Sequence, residues 1–303
     1  MRDLVQPRLP GWVDAHWWEG PEQLLALAPQ AEIGWFDMFD KSVPLQALDD
    51  AHRLRWLHSG FAGVDWMPLD DLARRGVILS SGSGNNANNV AEFAVMTMLG
   101  VARGYREIVR RQERAEWVIQ SPGTRELQGS TAMVIGAGAI GRRIAEILRG
   151  FGVRVRMVRR SPAAGDLGPD DWRAELGQAD WVILAVPNTP DTQGMIGAAE
   201  LAAMKPDGVL VNVARAECVD QAALVEALRA QTIGGAVLDL TDPEPLPPDH
   251  ELWRLDNAHV TMHLAGLPSE ATRSRSADRF LRNCDLWRAG EPLEAQVDLA
   301  LGY

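Results

Sequence analysis

The stretch TAMVIGAGAIGRRIAEILRG, residues 131–150, decides the fold. Its first five residues form an apolar run of strand length, and its second half carries the period of an amphipathic helix. Between them lies G-x-G-x-x-G, at Gly136, Gly138 and Gly141. A glycine loop that leaves a strand and opens a helix is the context in which this spacing signals a dinucleotide. The first glycine permits a tight turn, the second lets backbone reach a diphosphate, and the third lets helix and strand pack closely. The free N–H groups and dipole of the helix start favour an anion, so Ala139 and Ile140 join the expected contacts.

Outward from this loop, the chain from residue 130 alternates short apolar runs with longer amphipathic ones. Strands are expected at 131–135, 153–158, 181–186, 209–213, 234–239 and 258–262, with helices such as 142–149 and 221–230 between them. That βαβ rhythm predicts an α/β fold with a Rossmann-type doubly wound parallel sheet. Before residue 130, strand-like runs at 33–36, 54–58 and 77–79 predict a smaller, flavodoxin-like α/β domain. The polar segment SGSGNNANN, residues 81–89, reads as the cap of a long helix at 90–104 that serves as a hinge. A helical pattern at 271–287 would return the chain to the first domain. The expected division is therefore 1–97 plus 269–303 for a discontinuous substrate domain, and 98–268 for the nucleotide domain.

Bulk properties narrow the partners. A length of 303 residues suits two domains. The formal charge of −11 argues against nucleic acid, and no apolar run is long enough to span a bilayer. The N-terminus has no signal-peptide core, and Cys218 and Cys284 form neither a C-x-x-C nor a Cys/His cluster. A cytoplasmic, reducing location with no metal and no membrane partner is expected. If the ligands are anions, a few particular arginines must hold them against an unfavourable overall field.

In open α/β sheets, ligands bind beyond the carboxyl ends of the strands. Gly136, Arg159, Pro187, Arg215, Asp239 and His263 all fall at or just after such ends. Cofactor contacts are accordingly expected from Val186, Pro187, Thr192, Val213, Ala214, Arg215, Asp239, His263, Ala265 and Gly266. The second strand bears on which cofactor. An NAD site places Asp or Glu there to hold the ribose 2′-hydroxyl, whereas arginine accommodates a 2′-phosphate. Here the strand ends in Arg159, Arg160 and Ser161, which favours NADP and leaves NAD as the lesser option. A solvated basic edge is the plainer alternative, since Arg154 and Arg156 lie nearby.

Arg215, Glu244 and His263 each follow an apolar run. A guanidinium, a carboxylate and an imidazole are the groups needed to reduce the ketone of a 2-oxo acid: one to bind the acid, one to orient the imidazole, one to exchange the proton. Singly, each has a plain structural explanation, and His259 competes with His263. His259 lies inside the strand, however, while His263 lies at its ligand-facing end. Asp239 either touches the nicotinamide or braces its loop.

The chain resembles the D-isomer-specific 2-hydroxyacid dehydrogenases, the family of D-lactate dehydrogenase, glycerate dehydrogenase and glyoxylate/hydroxypyruvate reductase. The segments that carry the likeness are AGVD (62–65), VAEF (90–93), GAGAIG (136–141), MKPDGVLVNVARAECVD (204–220), LDLTDPEPLP (238–247) and NAHVTMHLAG (257–266). The resemblance implies that Arg215 binds substrate, Glu244 orients the histidine and His263 is the acid/base. It further implies that the backbone of Ala62 and Gly63 takes the substrate carboxylate, that closure of the two domains excludes water, and that the enzyme is a homodimer. The dimer is expected around the hinge helix and the arm after it, residues 90 to about 129; within it, the segment YREIVRRQERAEWVIQSPGTRELQG, residues 105–129, points the same way, because Trp117, Val118 and Ile119 lack an obvious place in either core. The expected reaction is NADPH-dependent reduction of a small 2-oxo acid of the glyoxylate/hydroxypyruvate type to the D-2-hydroxy acid.

Two positions depart from the family pattern: Ala216 where glycine is usual after the arginine, and Met262 where proline is usual before the histidine. Neither removes a reacting group. Of eleven tryptophans, Trp12, Trp17, Trp18, Trp35, Trp56 and Trp66 cluster in the first domain with Phe36, Phe39 and Phe61. They are expected in core or interface, with one or two as candidates to wall the pocket. The alternative function is a non-catalytic NAD(P)-sensing protein of the co-repressor branch. Formate and phosphite dehydrogenases share the scaffold, and formate enzymes carry glutamine at the position of Glu244.

Overall fold

The structure is a computed structural model that describes residues 1–38 and 40–303, so Phe39 lies outside the described residues. Three short strands come first: β1 (Ile33–Gly34), β2 (Trp56–His58) and β3 (Ile78–Ser80). They pair in parallel in that order. Six more follow: β4 (Thr131–Ile135), β5 (Arg154–Val158), β6 (Trp181–Leu184), β7 (Val209–Asn212), β8 (Gly235–Leu238) and β9 (Ala258–Val260). These form one parallel sheet in the order β5-β4-β6-β7-β8-β9. An isolated parallel bridge between Val158 and Leu167 adds a rudimentary strand outside β5. The order therefore reverses at β4, whose neighbours are the next strand on one side and a later one on the other. Such a reversal opens the crevice in which doubly wound sheets bind ligands.

Alternation along the strands covers both faces of the large sheet. Met133, Ile135, Val182, Leu184, Leu210 and Leu238 enter one buried cluster with Leu224 and Leu228 of the helix Gln221–Arg229. Ala132, Val134, Trp181, Ile183, Val211 and Val237 enter a second cluster with the helices Ala87–Ala102 and Ala139–Gly150. A sheet buried on both faces explains why its strands read as continuous apolar runs rather than alternating ones.

The chain divides into two compact units, Met1–Asn86 with Pro268–Tyr303, and Ala87–Leu267. The boundary falls at 86/87, where 97/98 was expected. The cause is that the helix Ala87–Ala102 belongs as a whole to the second unit; it also begins three residues earlier than the Val90 start read from the sequence. Its buried residues Ala87, Val90, Ala91, Ala94, Val95, Met98 and Ala102 recur at helical spacing, and from Val90 on they pack in the cluster beneath β4. The helix Glu270–Ala289 belongs to the first unit, where Ala277, Phe280 and Cys284 pack on Trp56. Of the six tryptophans before residue 70, Trp56 is fully buried, Trp17, Trp18, Trp35 and Trp66 pack against the two small cores, and Trp12 is exposed.

Several strands end earlier than their apolar runs. Val186, Val213, Asp239 and Met262 were read as strand ends, yet all lie in the loops that follow. Beyond β9 the reason is plain: Met262 and His263 have φ of 58° and 56°, a left-handed backbone no ladder accommodates.

Candidate active site

The glycine loop after β4 has the geometry a diphosphate needs. Gly136 has φ of 111°, and a Cβ there would lie 2.3 Å from the Ala185 carbonyl oxygen. A Cβ on Gly141 would lie 1.9 Å from the carbonyl oxygen of Gly136, so only hydrogen allows the helix to close on the loop. Gly138 is different, because a Cβ there would meet nothing within 4 Å. Its bare backbone fronts open space at the start of the helix Ala139–Gly150, whose N-terminus has no side-chain cap. Uncapped N–H groups beside open space suit an anion.

The arginines expected beyond β5 are placed unequally. Arg159 is half-buried, with Nη1 3.3 Å from the Asp166 carboxylate and its backbone N–H donated to Leu167. Arg160 and Ser161 are exposed. Beyond β6, the Thr192 hydroxyl donates to the Pro187 carbonyl at 2.7 Å and accepts from the Thr189 N–H at 2.9 Å. It therefore closes the 187–192 turn. Val186 packs against the core.

Beyond β7, buried Asn212 shapes the turn that carries Arg215. Its Nδ2 donates to the Arg215 carbonyl at 2.8 Å, and its Oδ1 accepts from the Ala214 N–H at 3.0 Å. The side chains of Val213 and Ala214 are buried. Arg215 itself donates from Nη1 to the Ala214 carbonyl at 2.8 Å.

Beyond β8, Asp239 holds the loop that follows β9. Its Oδ1 accepts from the Thr261 hydroxyl at 2.7 Å and the Leu264 N–H at 3.0 Å, and the Ala265 N–H reaches both oxygens at 3.3 Å. Its carbonyl accepts from the His263 N–H at 2.6 Å. Burial raises the proton affinity of this carboxyl, against the opposing pull of Thr261, Ala265, His263 and Leu264. Asp239 thus braces the loop, one of the two roles open to it from the sequence. The bracing matters because Met262 and His263 sit in a backbone region that costs a residue with a side chain about 1–3 kcal/mol.

The result is one candidate acid/base pair with defined geometry. His263 Nδ1 lies 2.9 Å from Glu244 Oε2, on neighbouring loops beyond β9 and β8. With the carboxylate as acceptor, Nδ1 keeps its proton and Nε2 is left to exchange one with a ligand. Both side chains are partly solvent-accessible. His259 is a poor rival: it is half-buried in β9, where burial first, then Arg106 and Arg110, push its pKa down to about 4. In the first unit, the N–H groups of Ala62 and Gly63 have no acceptor among the described residues.

The family description "D-isomer specific 2-hydroxyacid dehydrogenase, NAD binding domain" matches residues 95–265. The chain belongs to this family. A glyoxylate reductase of Korarchaeum cryptofilum is 32% identical over 82% of this chain and 77% of its own. A D-isomer-specific 2-hydroxyacid dehydrogenase family protein of Aeromonas salmonicida superposes with a TM-score of 0.81, at 29% identity over 92% of this chain and 88% of its own. The NADPH-dependent glyoxylate/hydroxypyruvate reductase of Sinorhizobium meliloti, solved with NADP and malonate, superposes with a TM-score of 0.75, at 28% identity over 86% and 82%.

This chain is thus an NAD(P)-dependent 2-hydroxyacid dehydrogenase family enzyme with an NAD(P)-binding domain. Some residues that shape its site were not singled out from the sequence. Asn212 and Thr261 were read as parts of apolar strands; their signal was a lone polar residue just before a ligand-side loop. Gln221 clamps the Glu244 loop, because its side-chain amide accepts from the Asp242 N–H and donates to the Asp242 carbonyl. Nothing local announces that pairing. Among the described residues, no His/Cys/Asp/Glu group is arranged to hold a metal, and no helix is long and apolar enough to cross a membrane.

Proposed function

We propose that the enzyme reduces a small 2-oxo acid of the glyoxylate/hydroxypyruvate type to the D-2-hydroxy acid, with NADPH preferred. The observation that carries this reading is the 2.9 Å contact between His263 Nδ1 and Glu244 Oε2. It leaves Nε2 as the exchanging nitrogen: when protonated, it gives its proton to the substrate carbonyl oxygen while Nδ1 keeps its own toward Glu244, and the neutral ring takes a proton back at Nε2 in the reverse direction. Arg215 extends a planar fork to the substrate carboxylate and polarises the ketone. Taken by itself, the first unit offers the N–H groups of Ala62 and Gly63 as carboxylate donors. The bound nicotinamide supplies the hydride that reaches the carbonyl carbon. The glyoxylate reductases among the relatives support this substrate class.

The cofactor preference rests on Arg159, Arg160 and Ser161 beyond β5, where no carboxylate stands at the strand end. A charge-assisted bond to the 2′-phosphate stabilises by about 1.5–3 kcal/mol. NADPH should therefore be preferred over NADH by at least about tenfold in kcat/KM. Arg159→Asp should move that preference toward NADH. The test is cofactor oxidation with NADPH and with NADH across glyoxylate, hydroxypyruvate, pyruvate and phenylpyruvate. Equal kcat/KM for the two cofactors refutes the preference, and no turnover of any of the four acids refutes the reductase reading.

The assembly proposed is a homodimer formed around the hinge helix and the arm after it, residues 90 to about 129, which include the helix Tyr105–Glu113. Tyr105, Trp117 and Ile119 are respectively 60%, 95% and 96% exposed, more apolar surface than a solvated helix and loop ordinarily present. Light scattering that returns a single 33.2 kDa species at micromolar concentration would reject it.

A further inference from the structure

The proposed carboxylate donors Ala62 and Gly63 lie in a loop gripped from both sides. On one side stands Asp37, three residues beyond β1. Its Oδ1 accepts from the Ser59 hydroxyl at 2.7 Å, and its Oδ2 accepts from the Gly60 N–H at 2.5 Å and the Trp35 indole at 2.7 Å. The Ser59 oxygen in turn accepts from the Phe61 N–H at 3.1 Å. On the other side, the Gly82 N–H donates to the Phe61 carbonyl at 2.8 Å, and a Cβ on Gly82 would lie 2.0 Å from the Gly60 carbonyl oxygen. The N–H groups of Gly60 and Phe61 are therefore satisfied, by Asp37 and Ser59 respectively, whereas those of Ala62 and Gly63 have no acceptor among the described residues.

We propose that Asp37 is a positioning residue for substrate binding: it fixes Ser59 and Gly60 so that the next two N–H groups, Ala62 and Gly63, are held ready for the 2-oxo acid carboxylate. The proposal rests on the reductase reading above. Lys41 supports it, because its ammonium lies 3.8 Å from the centre of the Phe61 ring and 4.6 Å from that of Trp66, beside the same loop. Asp37 touches no reacting atom; it acts through the loop. Its three contacts are separable, since Ser59 and Gly60 belong to the loop and Trp35 does not.

That separation supplies the experiment. Steady-state kinetics with the best 2-oxo acid, cofactor affinity and melting temperature are measured for the wild type and four variants. Asp37→Ala should raise KM about tenfold, the effect of losing one well-made charged hydrogen bond, with kcat within about threefold and cofactor affinity unchanged. Asp37→Asn should return KM to within about threefold of the wild type. Its amide oxygen can accept from Gly60 and Trp35, while its NH2 donates to the Ser59 oxygen, whose hydroxyl can rotate. Ser59→Ala should raise KM about threefold, and Trp35→Phe should lower the melting temperature while leaving KM alone. An active Asp37→Ala enzyme with unchanged KM overturns the positioning role and leaves the reductase reading standing. So does KM that simply tracks melting temperature across the four variants, which is the mark of a structural residue. A wild type that reduces no 2-oxo acid overturns the reductase reading, and the positioning role falls with it.

Discussion

Two loops in the molecule are held by the same device, in different sheets and with different results. In each, an aspartate just beyond one strand grips the loop beyond the neighbouring strand: Asp37 after β1 holds 59–61, and Asp239 after β8 holds 261–265. In each, one hydroxyl and at least one backbone N–H donate to the carboxylate, from Ser59 and Gly60 or from Thr261, Leu264 and Ala265. The strain they hold differs. The 261–265 loop contains two consecutive left-handed residues with side chains, whereas none of residues 59–63 has positive φ. A loop that must aim one imidazole at one carboxylate needs its backbone forced, and Asp239 contributes its own carbonyl as well as its carboxylate to force it. A loop that only presents N–H groups needs to be kept still, and a hydroxyl between carboxylate and backbone does that.

The largest expected effect tests what the strained loop is for. His263→Ala should lower kcat by roughly 10²–10⁴-fold, the usual contribution of a general acid, with cofactor affinity nearly unchanged. His259→Ala should retain kcat within a small factor, because that ring is held neutral inside β9. Steady-state kinetics of the two variants decide between them. Full turnover without His263, or its loss without His259, would remove the reason for the forced backbone.

A smaller effect separates the two aspartates. Asp239→Ala leaves the N–H groups of Leu264 and Ala265 and the Thr261 hydroxyl without their acceptor, at a cost of about 1–3 kcal/mol in stability. The released strain would let His263 drift from Glu244, so kcat should fall at least about tenfold, since small misplacements of a catalytic group are costly. Denaturant unfolding and a split of kcat from KM measure both. The contrast with Asp37→Ala is the point, since that change should act on KM. If Asp239→Ala also acts on KM alone, the two loops do the same job and the difference in strain has no functional meaning.

The two regions were not equally legible. Gly136, Arg215 and His263 could be singled out because each falls at or just after an apolar run, where doubly wound sheets put their ligands, and Glu244 because it follows such a run within a segment that carries the family resemblance. Asp239 was visible for the same reason, with its role left open. Asp37 was not, because it stands in WFDMFDKS with Asp40 only three residues away. The two acids are alike in sequence, yet Asp40 is exposed and bonds Ser42 locally, while Asp37 reaches partners more than twenty residues on. Tertiary pairing of that kind leaves no periodic trace. The strand ends were overrun for a related reason: Val186, Val213 and Met262 are apolar enough to extend a strand pattern, and only hydrogen bonding and φ remove them from it.

The smallest effect is a matter of sign and bears on both aspartates together. Burial is the leading influence on each carboxyl and raises its proton affinity above the ordinary value of 3.8, although every hydrogen bond each accepts works the other way. A carboxyl that binds its proton more tightly when folded than when unfolded stabilises the fold fully at pH below its unfolded value. That contribution is lost as pH rises through its folded value. Asparagine at either position has no proton to lose. Hence Asp37→Asn and Asp239→Asn should each gain stability relative to the wild type as pH rises from about 4 toward neutrality. Chemical denaturation at a series of pH values reads this as a difference between slopes. The opposite slope at Asp37 would mean that its hydrogen bonds and the nearby Lys41 outweigh burial. The two carboxylates would then differ in charge as well as in strain, with the one beside Lys41 fully ionised throughout the working range.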